Sequence, residues 1–139
     1  INLANNPCDK IAVTYESQRV QKQRKFIDPT QYLETFKLSH DGNSLALTAR
    51  GQVSSMGHWF GPAKVAGQKV GVRYRLGRWL KGDEKILLVS DEGGEEHFAV
   101  YDTRTHLLKD YPQTQWGRFV QIKVAPKGHL IAFSNHKNE

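Results

Sequence analysis

The sequence contains a single cysteine and no long apolar run. Cys8 alone among 139 residues excludes an internal disulfide framework and a multi-cysteine metal site. No run approaches the roughly 18 apolar residues of a membrane-spanning helix, and the chain shows neither a signal-peptide pattern nor a sustained helical stripe. We therefore predict a non-membrane, mainly β-structured protein. Because the chain starts at Ile1 rather than at methionine, we expect it to be a piece of a longer protein, whose compartment the sequence does not identify.

The formal net charge is +6, and part of this excess comes from a short basic tract. Arg19, Lys22, Arg24 and Lys25 follow one another with no acidic residue between them. Such a tract can bind phosphate, but it more often forms a solvated strand or loop. It has no interleaved aromatic residues and no recognition helix, so nucleic acid is not an expected partner.

A strand–turn–strand pattern recurs along the chain. Three clear copies and a shorter first one occupy residues 38–47, 79–88, 124–133 and 6–13. When Ile11, Leu45, Ile86 and Ile131 are aligned, the spacings are 34, 41 and 45 residues. Repeats of about 40 to 45 residues with several strands each are typical of β-propeller blades.

The third unit predicts a complete four-stranded blade. Its strands are expected at 70–80, 85–90, 97–101 and 106–111, separated by turns rich in Gly and Asp. Residues 86–89 are apolar at every position, as expected for a strand buried on both faces. We expect Asp28 to cap a single helical turn that begins at Pro29, and residues 51–68 to form a distorted outer half-blade with a loop near 57–62.

The predicted fold is therefore all-β: a partial β-propeller of three to four blades of four-stranded antiparallel sheet, open because it is a fragment of a larger ring. Approximate blade boundaries are 1–33, 34–69, 70–114 and 115–139. Unpaired strand edges and blade faces should make the isolated chain prone to self-association.

Several stretches resemble a known family. Residues 26–29, 36–42 and 45–53, the last including Arg50-Gly51-Gln52, are similar to the first blades of the larger propeller of tricorn-type serine peptidases. The similarity continues at 71–75, 89–91 and 100–102. It covers most of the chain and is firmest from Phe26 to Asp102.

The resemblance implies a non-catalytic part of a hydrolase. Tricorn-type enzymes degrade peptides, and their two propellers serve as passages ahead of a catalytic region with a PDZ-like module. Nothing in this chain matches that catalytic region. The implied partners are peptides, bound through the parent enzyme, together with the remaining blades and the catalytic domain.

No catalytic residue, metal site or cofactor is predicted. Ser54 and Ser55 come nearest to a nucleophile elbow, but Val53 stands where the first glycine is required. Six histidines are scattered without metal-binding spacing. The acidic pairs Asp91-Glu92 and Glu95-Glu96 are interpreted as solvated turn carboxylates.

Arg73 and Arg75 are the main candidates for lining a substrate channel. They lie two apart on a predicted inner strand and so share one face, where a guanidinium could bind a peptide carboxylate or carbonyl oxygens. The favoured alternative is a salt bridge to a neighbouring blade through Asp83 or Glu84. Arg50 is expected to hold the turn at Gly51.

Among the three tryptophans, Trp59 is the candidate for an exposed peptide contact, since it lies in the irregular loop beside Phe60. Trp79 and Trp116 are expected in the core. A second class of function remains open, a protein-interaction propeller unrelated to proteolysis. A third is binding of nucleic acid through the basic tract.

Overall fold

A computed structural model of the chain describes residues 12–14, 28–111, 115–127 and 129–138. Most of the first repeat and the whole basic tract at Arg19–Lys25 therefore lie outside the described residues. Ala12, Val13 and Thr14 are exposed and belong to no strand, so the strand expected around them is not seen in that part.

The described residues form ten strands in three antiparallel sheets. Sheet I contains β1 (Leu33–Leu38), β2 (Ser44–Ala49), β3 (Gln52–Gly57) and β4 (Lys64–Ala66). Sheet II contains β5 (Tyr74–Trp79), β6 (Lys85–Ser90), β7 (His97–Asp102) and β8 (Leu108–Tyr111), and sheet III pairs β9 (Phe119–Val124) with β10 (Ile131–Asn135). In sheets I and II the strands pair in chain order. This confirms the predicted all-β fold of four-stranded blades in an open propeller fragment.

The first strand of each sheet defines the inner side of the fragment. β5 contacts β1, β2 and β3 of sheet I as well as β9 of sheet III. The sheets therefore stack through their faces, with β1, β5 and β9 next to one another and β4 and β8 at the opposite edges of their sheets. We call the side formed by β1, β5 and β9 the inner edge.

Two local expectations are confirmed and one is partly wrong. The third repeat forms its four strands in the predicted order, with the first and last starting later than predicted, at Tyr74 and Leu108. Asp28 caps the 3-10 helix Pro29–Tyr32 by accepting from Thr30 N. Residues 51–68 are more regular than expected, because β3 pairs with β2 along its whole length without a register shift. The irregular part is confined to the loop before the short strand β4.

The turn between β2 and β3 explains that regularity. Arg50 and Gly51 connect the paired residues Ala49 and Gln52, with φ angles of +49° and +72°. Positive φ at both central residues is the type I′ geometry, whose twist matches that of a two-residue hairpin. The Arg50 guanidinium itself lies 4.9 Å above the Tyr32 ring.

The core consists of two apolar clusters, one on each face of sheet II. The cluster between sheets I and II includes Val53, Tyr74, Trp79 and Leu88. The cluster between sheets II and III includes Leu87, Phe98 and Phe119. β6 contributes to both because its residues from Ile86 to Ser90 are all buried. Within the described residues, no helix is long and apolar enough to span a membrane.

Candidate functional site: the inner edge

All three strands of the inner edge have irregular pairing with their neighbour in the sheet. The register of β1 shifts between Leu33 and Thr35, and that of β9 shifts opposite Ser134 and Asn135. In β5 the shift falls between Arg75 and Arg78, where Leu76 adopts a φ of +55°. Such β-bulges re-aim side chains and increase local twist. The bulges therefore determine which side chains of the inner edge point towards the neighbouring sheet.

Arg75 takes part in a link between sheets II and III through Glu96. Its Nη1 lies 2.6 Å from Glu96 Oε1, and the two side chains are only 13% and 15% exposed. The second oxygen, Glu96 Oε2, accepts from the backbone N of Phe119 at 2.7 Å. Arg75 does form a salt bridge, but the carboxylate belongs to its own sheet, so the expected bridge to a neighbouring blade through Asp83 or Glu84 is wrong for Arg75. The partner comes from the β6–β7 turn, which carries a carboxylate to the start of both β5 and β9.

Arg73 lies just before β5 and is half exposed. Its Nη2 is 4.0 Å from Glu34 Oε1 in the bulged part of β1, a loose ion pair. Its backbone is held more tightly, because Arg73 N donates to Asp91 Oδ1 at 2.6 Å. Of the two candidate arginines, Arg73 is thus the one whose guanidinium remains open to a ligand.

Trp59 lies at the opposite end of the sheets from Arg73. It belongs to the β3–β4 loop, where His58 N donates to Asn43 O of the β1–β2 turn, whereas Arg73 follows the β4–β5 connection. Trp59 is 81% exposed and Phe60 85%. The three predicted site residues therefore do not form one constellation. Trp79, by contrast, is in the core as predicted, and its Nε1 donates to Lys37 O.

Asp83 forms the main polar link between the turns of sheets I and II. One oxygen accepts from His40 N at 2.8 Å and lies 2.7 Å from His40 Nδ1, while the other accepts from Asp41 N at 3.1 Å. Burial raises the pKa of Asp83, but the bonds from His40 and Asp41 and the charge of His40 outweigh it, so the pKa is lowered.

This role explains why the third repeat departs from the Asp-Gly order. Gly42 N donates to Ser39 O in one turn, and Asp83 N donates to Leu80 O in the equivalent turn. Asp83 thus occupies the position of Gly42 and shares its positive φ, at 55° against 75°. A glycine there would be less strained, but it would carry no carboxylate to hold the neighbouring turn.

Sequence reasoning missed one arginine of the inner edge. Arg78 lies on β5, partly buried, with Nε donating to Ile122 O at 3.2 Å and Nη1 donating to Gly77 O at 2.9 Å. Burial lowers its pKa. No carboxylate of the described residues lies within salt-bridge distance of it. The bulge hid Arg78, since simple alternation from Arg75 places it on the other face.

The described residues contain no group of three or more His, Cys, Asp or Glu side chains arranged to hold a metal. Ser55 is buried within β3 and Ser54 is partly buried. The predictions that the chain holds no catalytic residue, metal or cofactor remain predictions.

The geometry defines a class: an open set of propeller blades with a polar inner edge. Comparison with known proteins gives the relationship. The chain is 34% identical over 127 residues to a provisionally named tricorn-like protease C-terminal subunit of Sulfurisphaera tokodaii, covering 88% of this chain. It is 30% identical over 130 residues to the "Tricorn protease homolog" of Saccharolobus solfataricus, and 27% identical over 125 residues to "Tricorn protease homolog 1" of Streptomyces coelicolor.

These matches confirm the resemblance: the chain is related in sequence to a segment of tricorn-type proteins. They cover 94% of this chain for the Saccharolobus protein and 85% for the Streptomyces one. The chain spans only 14%, 11% and 12% of the length of the three relatives, respectively. No family model matches the chain, and no solved structure matches it significantly.

Proposed function

We propose that this chain is a non-catalytic propeller segment of a tricorn-like serine peptidase, and that it acts as a passage or scaffold for peptides. The similarity to proteins named tricorn protease homologues along most of the chain carries this proposal. The fold supports it, because adjoining blades bring their first strands together on one side. In a complete ring that side borders the central channel.

The links between sheets support a rigid scaffold. Glu96 joins sheet II to sheet III, and Asp83 joins sheet I to sheet II, both through short bonds to backbone N–H groups. Bonds of this kind fix the spacing of neighbouring blades more than they contribute to binding. Within this scaffold, Arg73 is the proposed channel contact, and Arg75 is a positioning residue.

Peptidase assays test the proposal in two parts. The 139-residue chain alone should not hydrolyse fluorogenic peptides, whereas the complete polypeptide encoded by its gene should hydrolyse them and lose activity with a serine-directed inhibitor. Hydrolysis by the isolated chain would contradict the non-catalytic role. An inactive complete polypeptide would contradict the peptidase assignment.

The exposed loop favours a second candidate, a protein-interaction propeller unrelated to proteolysis. Trp59 and Phe60 place two large aromatic side chains in solvent, and exposed apolar patches commonly mark interaction sites. Replacing both by serine should abolish partner capture and leave peptide hydrolysis by the complete polypeptide unchanged if this candidate holds. A loss of hydrolysis would instead connect the loop to peptide handling.

A further inference from the structure

The turns that follow the three inner strands show which residues of the three blades are equivalent. In each blade a backbone N–H after the inner strand donates to the carbonyl five residues later. The three donors and acceptors are Ser39 N to Ser44 O, Leu80 N to Lys85 O, and Ala125 N to Leu130 O. Ser39, Leu80 and Ala125 are therefore structurally equivalent.

Counting back two residues from each equivalent position reaches a basic side chain every time. These residues are Lys37 in β1, Arg78 in β5 and Lys123 in β9. Strand pairing agrees independently, because they pair with Ala46, Leu87 and Ala132, which are equivalent to one another on the second strands. A cation thus recurs at the same register in three consecutive blades. We call Lys37, Arg78 and Lys123 the basic ladder.

The three side chains point in the same rotational sense. Directly paired residues of an antiparallel sheet project from the same face. Lys37 therefore shares a face with Ala46, which packs towards sheet II, and Arg78 shares a face with Leu87, which packs towards sheet III. The contact of Arg78 with Ile122 O of sheet III shows this direction directly. Lys123 points away from sheet II, because Ile122 and Val124 on either side of it pack towards that sheet.

None of the three charges is neutralised by the described residues. No carboxylate there lies within 4.0 Å of any of them, whereas Arg73 and Arg75 each have an acidic partner. Lys37 and Lys123 are exposed, and Arg78 is held by two carbonyl oxygens that leave its Nη2 group without a partner in the described part. Packed sheets lie about 10 Å apart, close to the Debye length of about 8 Å at physiological ionic strength. Because this spacing slightly exceeds the Debye length, the three cations act mainly as separate contacts spaced along the inner edge.

We propose that the basic ladder binds the carboxylates of extended acidic peptides at the inner edge. This proposal rests on the proposed function, because it names the class of peptide that a passage of this kind would favour. Lys37 and Lys123 supply flexible charges, and Arg78 supplies a guanidinium already oriented by two backbone carbonyls. A carboxylate could come from Asp and Glu side chains or from the peptide C-terminus.

Fluorescence anisotropy with labelled peptides tests the ladder on the 139-residue chain. The probes are an extended peptide with several Glu residues, its Gln counterpart, and both peptides with an amidated C-terminus. The acidic peptide should bind at least tenfold more tightly than the Gln peptide, and raising the salt concentration should weaken it. If the ladder binds only the free C-terminal carboxylate, amidation removes binding, and Asp and Glu side chains are excluded as the source of the carboxylate. Equal binding of acidic and Gln peptides, both amidated and free, would overturn the proposal.

Variants localise the effect and allow for folding defects. Lys37→Gln, Arg78→Gln and Lys123→Gln together should remove the preference for acidic peptide. Lys64→Gln, Lys109→Gln and Arg104→Gln, which change the charge equally away from the inner edge, should retain it. The pair Lys37→Glu and Lys123→Glu alters only exposed side chains and should instead favour a Lys-rich peptide. If the control set loses as much binding as the ladder set, the ladder is wrong.

The outcome is separable from that of the proposed function. A complete polypeptide that hydrolyses peptides but shows no ladder-dependent preference would refute the ladder alone. A polypeptide without peptidase activity whose 139-residue segment still binds acidic peptide through the ladder would refute the proposed function alone.

Discussion

Sheets I and II have the same strand order but differ in burial. In β6 of sheet II every residue after Lys85 is buried, whereas β2 of sheet I alternates between buried and half-buried residues. The difference in burial from β6 is larger still for β1, where five of six residues are exposed. Within the described residues, sheet II has neighbours on both faces, whereas sheet I has one only on the face towards sheet II.

The difference shows that a blade is completed by its neighbours rather than by its own residues. Units of a repeat architecture obtain much of their stability from the interfaces between adjacent units. Phe36 and Leu38 in β1 are 59% and 50% exposed because no described sheet covers them. The same side chain should therefore contribute very differently to stability in the two sheets.

Truncation of a core leucine is the largest expected effect. Leu88 is 0% exposed between sheets I and II, so Leu88→Ala should lower the free energy of unfolding by about 2–5 kcal/mol. The matched change Leu38→Ala should cost less than about 1 kcal/mol, because half of that side chain is already in water. Urea unfolding followed by circular dichroism measures both values. Equal losses would show that sheet I is covered in solution.

Removal of the carboxylate between sheets II and III should have the next largest effect. Glu96→Gln weakens the bond from Phe119 N and leaves the Arg75 guanidinium, only 13% exposed, without its counter-charge. Hydrogen bonds to charged groups contribute about 1.5–3 kcal/mol, and we expect a loss near the middle of that range. Glu95→Gln is the control, since Glu95 is an exposed neighbour without a salt bridge in the described part. An equal loss in both variants would contradict the link.

The sequence predicted the blade pattern well because its signals are local. Apolar runs, Gly-containing turns and the Asp28–Pro29 start each depend on residues close in the chain, and sheet II appears where they indicate. The partners of Arg75 and Asp83 could not be obtained in this way. Glu96 and His40 are 21 and 43 residues distant in sequence. Strand pairing within sheet II brings Glu96 to Arg75, and the stacking of sheets I and II brings His40 to Asp83.

The basic ladder illustrates a signal that was present in the sequence but hidden. Lys37, Arg78 and Lys123 hold equivalent positions, yet the bulge between Arg75 and Arg78 breaks the alternation that would reveal the face of Arg78. The hydrogen bonds in the turns show that the three residues are equivalent, because they align the three inner strands independently of the bulge. The position of Trp59 at the opposite end from Arg73 likewise depended on the direction of each strand, which residue type alone does not give.

A smaller effect is expected at Asp83, which links sheets I and II. Asp83→Asn retains the size of the side chain but replaces one acceptor oxygen by a donor, and should cost about 1–2 kcal/mol. The exposed neighbour change Glu84→Gln is the control and should stay within about 0.5 kcal/mol. Thermal or urea unfolding of the three proteins at pH 7 measures the difference, and unchanged stability of Asp83→Asn would contradict the link.

The pH dependence provides an independent measure of the same link. The pKa of Asp83 is lowered in the folded chain, so its ionised form stabilises the fold at pH values above the unfolded pKa of about 3.9. This contribution should be lost as the pH falls from there through the lower folded pKa. The difference between the original chain and Asp83→Asn should therefore be present above about pH 4 and shrink below it. A gap that widens in acid would have the wrong sign.

The smallest effect on stability, together with a detectable effect on self-association, is expected from changes on the face of sheet I that no described sheet covers. Phe36→Ser together with Leu38→Ser removes apolar side chains that are at least half exposed, so the free energy of unfolding should fall by only about 1 kcal/mol. If the uncovered face drives the self-association expected of this fragment, sedimentation velocity should show larger species for the original chain as its concentration rises, and monomers for the double variant. Val70→Ser with Leu107→Ser, which replaces residues 84% and 69% exposed outside sheet I, should leave association intact. If the control pair changes the association instead, or if the original chain stays monomeric, this face does not drive self-association.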